Sequence, residues 1–233
     1  MKTAGIIGGI GPESTVEYYR SLIASYREQK PDGSYPSFII NSINMTKMRE
    51  LIEANELAEV TEYLSGEVEK LARAGADFGA LAANTPHIVF DELRLRSSIP
   101  LISIVEVTRE AAKDLSLDRL GLFGTRYTMQ AGFYQKLFSS EGITLVLPDK
   151  DEQEYIHDRY MNELVLGIFL PETRARLLAI AARLKTQEGI QALILGGTEL
   201  PLILRDADAE QAGIPFLDTT QIHVKSIIAH WLA

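Results

Sequence analysis

The 233-residue chain predicts an α/β fold made of two like halves, each a mostly parallel sheet flanked by helices. Two observations carry this. Short apolar runs alternate with helix-period segments from end to end, as parallel strands joined by crossover helices must. The halves also answer each other in nearly one register. Gly5-Ile6-Ile7-Gly8-Gly9 corresponds to Gly121-Leu122-Phe123-Gly124-Thr125, Gly75 to Gly189, Leu81-Ala82-Ala83-Asn84 to Leu195-Gly196-Gly197-Thr198, and Pro100-Leu101-Ile102-Ser103 to Pro215-Phe216-Leu217-Asp218. A repeat of this length implies an internal duplication into twin lobes, not a solenoid. We expect residues 1–98 together with 212–233 to form the N-terminal lobe and 99–211 the C-terminal lobe.

In chain order, Lys2 to Gly8 is a short apolar strand. Gly8-Gly9-Ile10-Gly11-Pro12-Glu13-Ser14 then turns it into a helix reaching about Gln29. Pro12 suits the first helical position and Glu13 complements the positive end of the dipole. The loop fits neither GxxxxGK[ST] nor GxGxxG, but its backbone N–H groups at Gly9, Ile10 and Gly11 are candidates to hold a carboxylate. Ser37 to Asn44 reads as a strand and Lys47 to Asn55 as a short helix. Glu56 to Ala74 has apolar residues at helical spacing, from Leu57 and Val60 to Val68 and Leu71.

Asp77 to Ala82 is a buried strand that opens onto Ala83-Asn84-Thr85-Pro86-His87, with helix from Ile88 to Leu95. Leu101 to Ile104 is a strand, Glu106 to Leu115 a helix, and Leu120 to Gly124 the strand that starts the second half. Thr125 to Thr128 is a polar turn into a helix from Met129 to Phe138, and Thr144 to Leu147 is a strand. Lys150 to Gly167 is charged and mostly helical, and Pro171 to Thr186 is a helix with a Pro-Glu-Thr start. Ala192 to Leu195 is a strand, Leu200 to Leu204 a short helix, Pro215 to Leu217 a strand, and Thr219 to Trp231 the closing helix. The loops at Gly8, Asn44, Ala83, Thr125, Gly197 and Asp218 all follow strand ends, where ligands of open α/β sheets bind.

Composition narrows the function. A net charge of −9 without a Lys/Arg cluster argues against nucleic acid and anionic membranes. No apolar run is long enough to span a bilayer, and Met1-Lys2-Thr3 leads directly into a strand, so a cytoplasmic location is expected. The chain has no cysteine, which excludes disulfides, thiolate metal sites and thiol nucleophiles. His87, His157, His223 and His230 lack metal-site spacing, so no metal is expected, and no GxSxG occurs.

The ordered set of motifs resembles the cofactor-independent aspartate/glutamate racemases. It comprises Gly5 to Thr15 with Tyr18-Tyr19-Arg20, Asn84-Thr85-Pro86-His87, Leu122 to Met129, Glu163-Leu164-Val165-Leu166-Gly167, Leu195 to Pro201, and Asp218-Thr219-Thr220-Gln221-Ile222-His223. The resemblance runs nearly end to end and implies two pseudo-symmetric lobes with the site in the cleft between them. It also implies a homodimer, no cofactor, and a small carboxylate or amino-acid ligand. In such enzymes one thiolate removes the Cα proton and a thiol returns it from the opposite face. Those thiols would come from the positions of Ala83 and Gly197, neither of which has a titratable side chain. Asn84, Thr85, Thr125 and Thr198 match positions that hold the substrate carboxylate and amine; Gly9, Ile10, Gly11 and His223 are further candidate substrate-binding residues.

Three readings follow from this combination. The chain is an enzyme with a reassigned proton transfer, for which Glu199, His87 and His223 are the candidate bases. Alternatively it binds a ligand without chemistry. In the third reading, the natural sequence carried cysteine at 83, at 197, or at both. Against a catalytic role, Glu199 and His87 both fall at helix starts, where a carboxylate favours the dipole and a histidine packs or caps.

Overall fold

The computed structural model describes residues 2–233 and divides them into two compact units, 2–104 with 223–233, and 105–222. The first contains β1 (Ala4–Gly8), α1 (Pro12–Gln29), β2 (Phe38–Ser42), α2 (Met45–Glu53), α3 (Leu57–Arg73), β3 (Phe78–Leu81), α4 (Phe90–Arg96) and β4 (Leu101–Ile102). A 3-10 turn over Thr85–Val89 precedes α4. After α5 (Ile104–Asp114) come β5 (Arg119–Gly124), α6 (Arg126–Gln130), α7 (Phe133–Ser139), β6 (Thr144–Val146), α8 (Lys150–Asn162) and α9 (Pro171–Glu188). These are followed by β7 (Ala192–Gly196), α10 (Leu200–Ile203), α11 (Asp206–Ala212), β8 (Phe216–Asp218) and α12 (Thr219–Leu232).

The two sheets have one topology. The first runs β2-β1-β3-β4 and the second β6-β5-β7-β8, every pairing parallel. Each pair of matching sequence segments therefore occupies the same place in its own sheet, with β1 and β5 both second in order and β3 and β7 both third. Because β4 hydrogen-bonds to β3 and β8 to β7, residues 99–104 go with the first unit and 212–222 with the second. The boundaries drawn from sequence at 98/99 and 211/212 thus move to 104/105 and 222/223. Strand pairing, which a linear reading cannot see, decides where the chain changes unit.

The central strands are buried on both faces and read as near-continuous apolar runs, as parallel strands under helices do. In the first unit Ala4, Ile6, Phe78 and Ala80 pack with Tyr18, Leu22 and Tyr26 of α1 and with Val224, Ile227, Ile228 and Trp231 of α12. Trp231 also donates its indole N–H to the Lys2 carbonyl at 2.6 Å. In the second unit Leu120, Leu122, Phe123, Leu193 and Ile194 form the buried strands, beneath helices that bury Phe138, Leu177, Ile180 and Leu184.

The departures from the expected elements have local causes. Gly132, in the left-handed region at φ 83°, splits the expected Met129–Phe138 helix into α6 and α7, and Thr125 caps α6 so that it begins three residues early. The segment expected as helix to Gly167 stops at Asn162, gives one 3-10 turn and ends at left-handed Gly167. Strand β4 is only two residues long, and α5 begins at Ile104 instead of Glu106. Helix α11 was not expected at all, because only Ala207, Ala209 and Ala212 interrupt its polar run.

Candidate functional site

The site residues cluster at the ends of β1 and β3 in one unit and of β5 and β7 in the other. The β1 turn is held from within. Gly9 donates its N–H to Thr15 Oγ1 at 2.8 Å, while Ser14 and Thr15 hydroxyls donate to the Gly11 carbonyl at 2.8 and 3.2 Å. A Cβ on Gly9 would lie 2.6 Å from the Ile43 carbonyl, and its φ of 77° suits only glycine, so the loop is both tight and internally bonded. In this fold the Gly9 amide, a candidate from sequence to meet a carboxylate, donates to the Thr15 hydroxyl. Ile10 is buried in the same turn.

At the end of β3, Ala83 and Asn84 are buried, Thr85 is half-buried, and His87 is buried in the following 3-10 turn. The His87 ring stacks on Phe90 with centroids 4.6 Å apart. Its Nδ1 lies 3.0 Å from the Ala83 carbonyl, and a carbonyl can only accept, so Nδ1 carries the proton. The opposite nitrogen, Nε2, then accepts the Ile104 N–H at 3.3 Å. His223 has the other tautomer: Nε2 donates to the Ile102 carbonyl at 3.1 Å and Nδ1 accepts the Tyr18 hydroxyl at 2.8 Å. Both rings are held neutral. Burial, then the nearby His223, lowers the His87 pKa to about 3, and burial lowers that of His223 to about 4. With both nitrogens of each ring engaged, these histidines brace β4 and the start of α5 against β3, α1 and α12.

In the second unit Thr125 is the N-cap of α6: its hydroxyl accepts the Thr128 N–H at 3.2 Å and lies 3.2 Å from the Thr128 hydroxyl. The loop after β7 carries Gly197, Thr198 and Glu199, and Leu200 closes it by donating its N–H to the Gly197 carbonyl at 3.0 Å. Glu199 is buried, and its Oε2 accepts hydrogen bonds from the Thr198 hydroxyl at 3.1 Å and from the Tyr160 phenol. The Tyr160 ring sits against Gly197. A Cβ built on Gly197 would lie 2.8 Å from the phenol oxygen and 2.9 Å from Cζ, closer than real Cβ atoms approach. Tyr160 therefore fills the space that a side chain at 197 would enter.

Helix α8 is fixed so that Tyr160 stays there. Asp149 and Glu152 form a capping box at its start. The Glu152 carboxylate also takes a two-pronged pairing from Arg183 of α9, with Nε to Oε1 at 2.8 Å and Nη2 on Oε2. At its end, Glu163 is held by Arg159 and by the Thr173 hydroxyl at 2.6 Å. His157, one turn before Tyr160, accepts the Arg126 N–H at 3.2 Å and so ties α8 to the start of α6.

The sequence named Glu199 and Gly197 but not Tyr160, which lies far away in the chain within a helix read only as charged. A buried tyrosine among the charges of Lys150–Asn162 is the one signal that could have drawn attention to it. The arrangement in this unit is a buried phenol–carboxylate pair, able to hold and pass a proton. Among the described residues no group of three or more His, Asp or Glu is placed to hold a metal, and no helix is long and apolar enough to cross a membrane.

A family profile described as Asp/Glu/hydantoin racemase matches residues 7–227. The chain is similar to the broad specificity amino-acid racemase RacX of Bacillus subtilis, 27% identical and covering 98% of both chains. Among solved structures, an Asp/Glu racemase-like protein of Yersinia pestis is 31% identical with a TM-score of 0.89. PH1733, an aspartate racemase homologue from Pyrococcus horikoshii, is 33% identical with a TM-score of 0.85, and each covers 100% of both chains.

Proposed function

The chain belongs to the Asp/Glu/hydantoin racemase family, and from that membership we propose that it binds a small amino acid or dicarboxylate and moves a carbon-bound proton without a thiol. The observation that carries this reading is the buried Glu199 carboxylate, two residues from Gly197 and hydrogen-bonded by Tyr160 and Thr198. A titratable group thus stands beside the second of the two vacated base positions. The first has none: Ala83 is inert, and both nitrogens of His87 are engaged. Two-base inversion by opposed thiols is excluded by the sequence itself. A single base supports chemistry on one face, namely exchange with retention, elimination or isomerisation next to a carboxylate. Asn84, Thr85, Thr125 and Thr198 are the residues proposed to hold the ligand, and the protein is proposed to act as a cytoplasmic homodimer without a cofactor.

The test is incubation with L-aspartate or L-glutamate in D₂O, with Cα deuteration followed by NMR. Deuteration that depends on Glu199 supports the reading. Binding without any exchange sinks it in favour of a ligand-binding homologue, an alternative supported by the missing base at the Ala83 position. The third possibility, a natural cysteine at 197, would require the Tyr160 ring to shift from its place against Gly197.

A further inference from the structure

Glu199 does not stand alone, and its partner changes what it can do. The Tyr160 phenol donates to Glu199 Oε2, and its oxygen lies 2.8 Å from where the Cβ of residue 197 would be, in the region the missing thiol would have entered. The hydrogen bond links the phenol to the Glu199 carboxylate, and the capping box and the Arg183 pairing hold α8, which carries Tyr160. We propose that Tyr160 is the proton relay of the second base position, with its phenol oxygen meeting the substrate carbon and Glu199 serving as the net base.

The step balances without any further reactant. The substrate Cα–H bond breaks and an Oη–H bond forms, while the original Oη–H bond breaks and an Oε2–H bond forms on Glu199. The electron pair left on carbon delocalises into the adjacent carboxylate; once the new Oη–H has exchanged with solvent, reversal of the same two transfers delivers a solvent-derived proton to the same face. Burial, and then the neighbouring Glu199, push the Tyr160 phenol well above its usual range, so at neutral pH the proton rests on the phenol. A lone tyrosinate would not be populated under those conditions; a phenol that passes its own proton on as it receives another needs no tyrosinate. Thr198, which donates to the same carboxylate oxygen, steadies the charge in the resting state.

This inference rests on the proposed proton-transfer function, and the experiment separates the two. Cα exchange of L-aspartate and L-glutamate in D₂O is measured for the wild type, Tyr160→Phe and Glu199→Gln, with thermal melts to confirm folding. The phenylalanine ring keeps the packing against Gly197, so a purely structural Tyr160 predicts near-normal exchange. The relay predicts a loss of about 100-fold or more in both variants. It also predicts that α-deuterated substrate and deuterated solvent each slow the same step in the wild type, because a substrate proton and the phenol proton move together. Near-normal exchange by Tyr160→Phe, or a substrate isotope effect without a solvent one, overturns the relay and leaves the proposed function standing. A wild type that exchanges neither probe overturns both.

Discussion

The Tyr160 ring packs directly over Gly197: the phenol oxygen and Cζ lie 2.8 and 2.9 Å from where a Cβ at 197 would be, so a larger residue there must displace the ring. The Gly197 backbone lies outside the left-handed region, so the cost of a side chain there comes from contact alone. We expect Gly197→Ala to destabilise the protein by about 1–3 kcal/mol, as overpacking of a filled site does, measured by urea unfolding. Combining it with Tyr160→Ala should cost less than the sum of the two changes, a coupling that a double-mutant cycle reads directly. Gly197→Cys alone should give no thiol-based exchange, since the ring already occupies the space. Additive costs would show that the two positions do not compete.

Arg183 should matter to exchange although it lies on another helix. It grips Glu152 by two nitrogens at the start of α8, and the Glu152 side chain is only 7% exposed against 26% for Arg183. Arg183→Met strands a buried carboxylate, and we expect a loss of about 1–2 kcal/mol, reduced from the fully buried case by the partial exposure of the guanidinium. Because α8 carries Tyr160, exchange should fall more than binding does. Stability unchanged to within about 0.5 kcal/mol would show that the pairing does not seat the helix.

The two buried histidines predict acid sensitivity of known sign. Their folded pKa values, about 3 for His87 and about 4 for His223, lie below the unfolded value of about 6.5. Above that value both states are neutral and the contribution is fully present. As the pH falls, the unfolded chain takes up protons that the folded one refuses. Stability is then lost by about 1.4 kcal/mol per pH unit for each imidazole, down towards the folded values. Urea midpoints between pH 7 and 5 should fall steeply in the wild type and less steeply in His223→Gln. Equal slopes would mean that this imidazole titrates normally in the fold.

Tyr18 gives a narrower test of the same brace. Tyr18→Phe keeps the ring in the core but leaves His223 Nδ1 as a buried acceptor without its 2.8 Å donor. A loss of about 1–2 kcal/mol at pH 7 is expected by chemical unfolding. No loss would mean that the hydrogen bond contributes nothing net.

Much of the fold could be read from residue order because parallel strands between helices leave both a period and a punctuation. Gly8 and Gly124 end their strands where the sequence placed the breaks, Gly196 ends its strand one residue later, and the matching halves fall on matching sheet positions. Legibility failed wherever the deciding interaction was remote. The strand pairings that move Leu101 to one unit and Phe216 to the other join segments far apart in the chain. The glycine spacing of the β1 turn is visible in the sequence, but the hydrogen bond from the Gly9 amide to the Thr15 hydroxyl emerges only in the fold. His87 reads as a candidate base because it lies close in sequence to Ala83; the Ala83 carbonyl and Ile104 amide that engage its nitrogens emerge only in three dimensions. Gly197 read as a vacancy, and only the folded chain shows Tyr160 standing in it.

The closing helix supplies Val224, Ile227, Ile228 and Trp231 to the core of the first unit, and Trp231 binds the Lys2 carbonyl. Residues 105–222, by contrast, are continuous in sequence. On the ribosome, the middle of the chain can therefore finish folding while the segment made first still waits for the segment made last. Loss of a few terminal residues would be felt at the opposite end of the polypeptide, in the sheet built around β1.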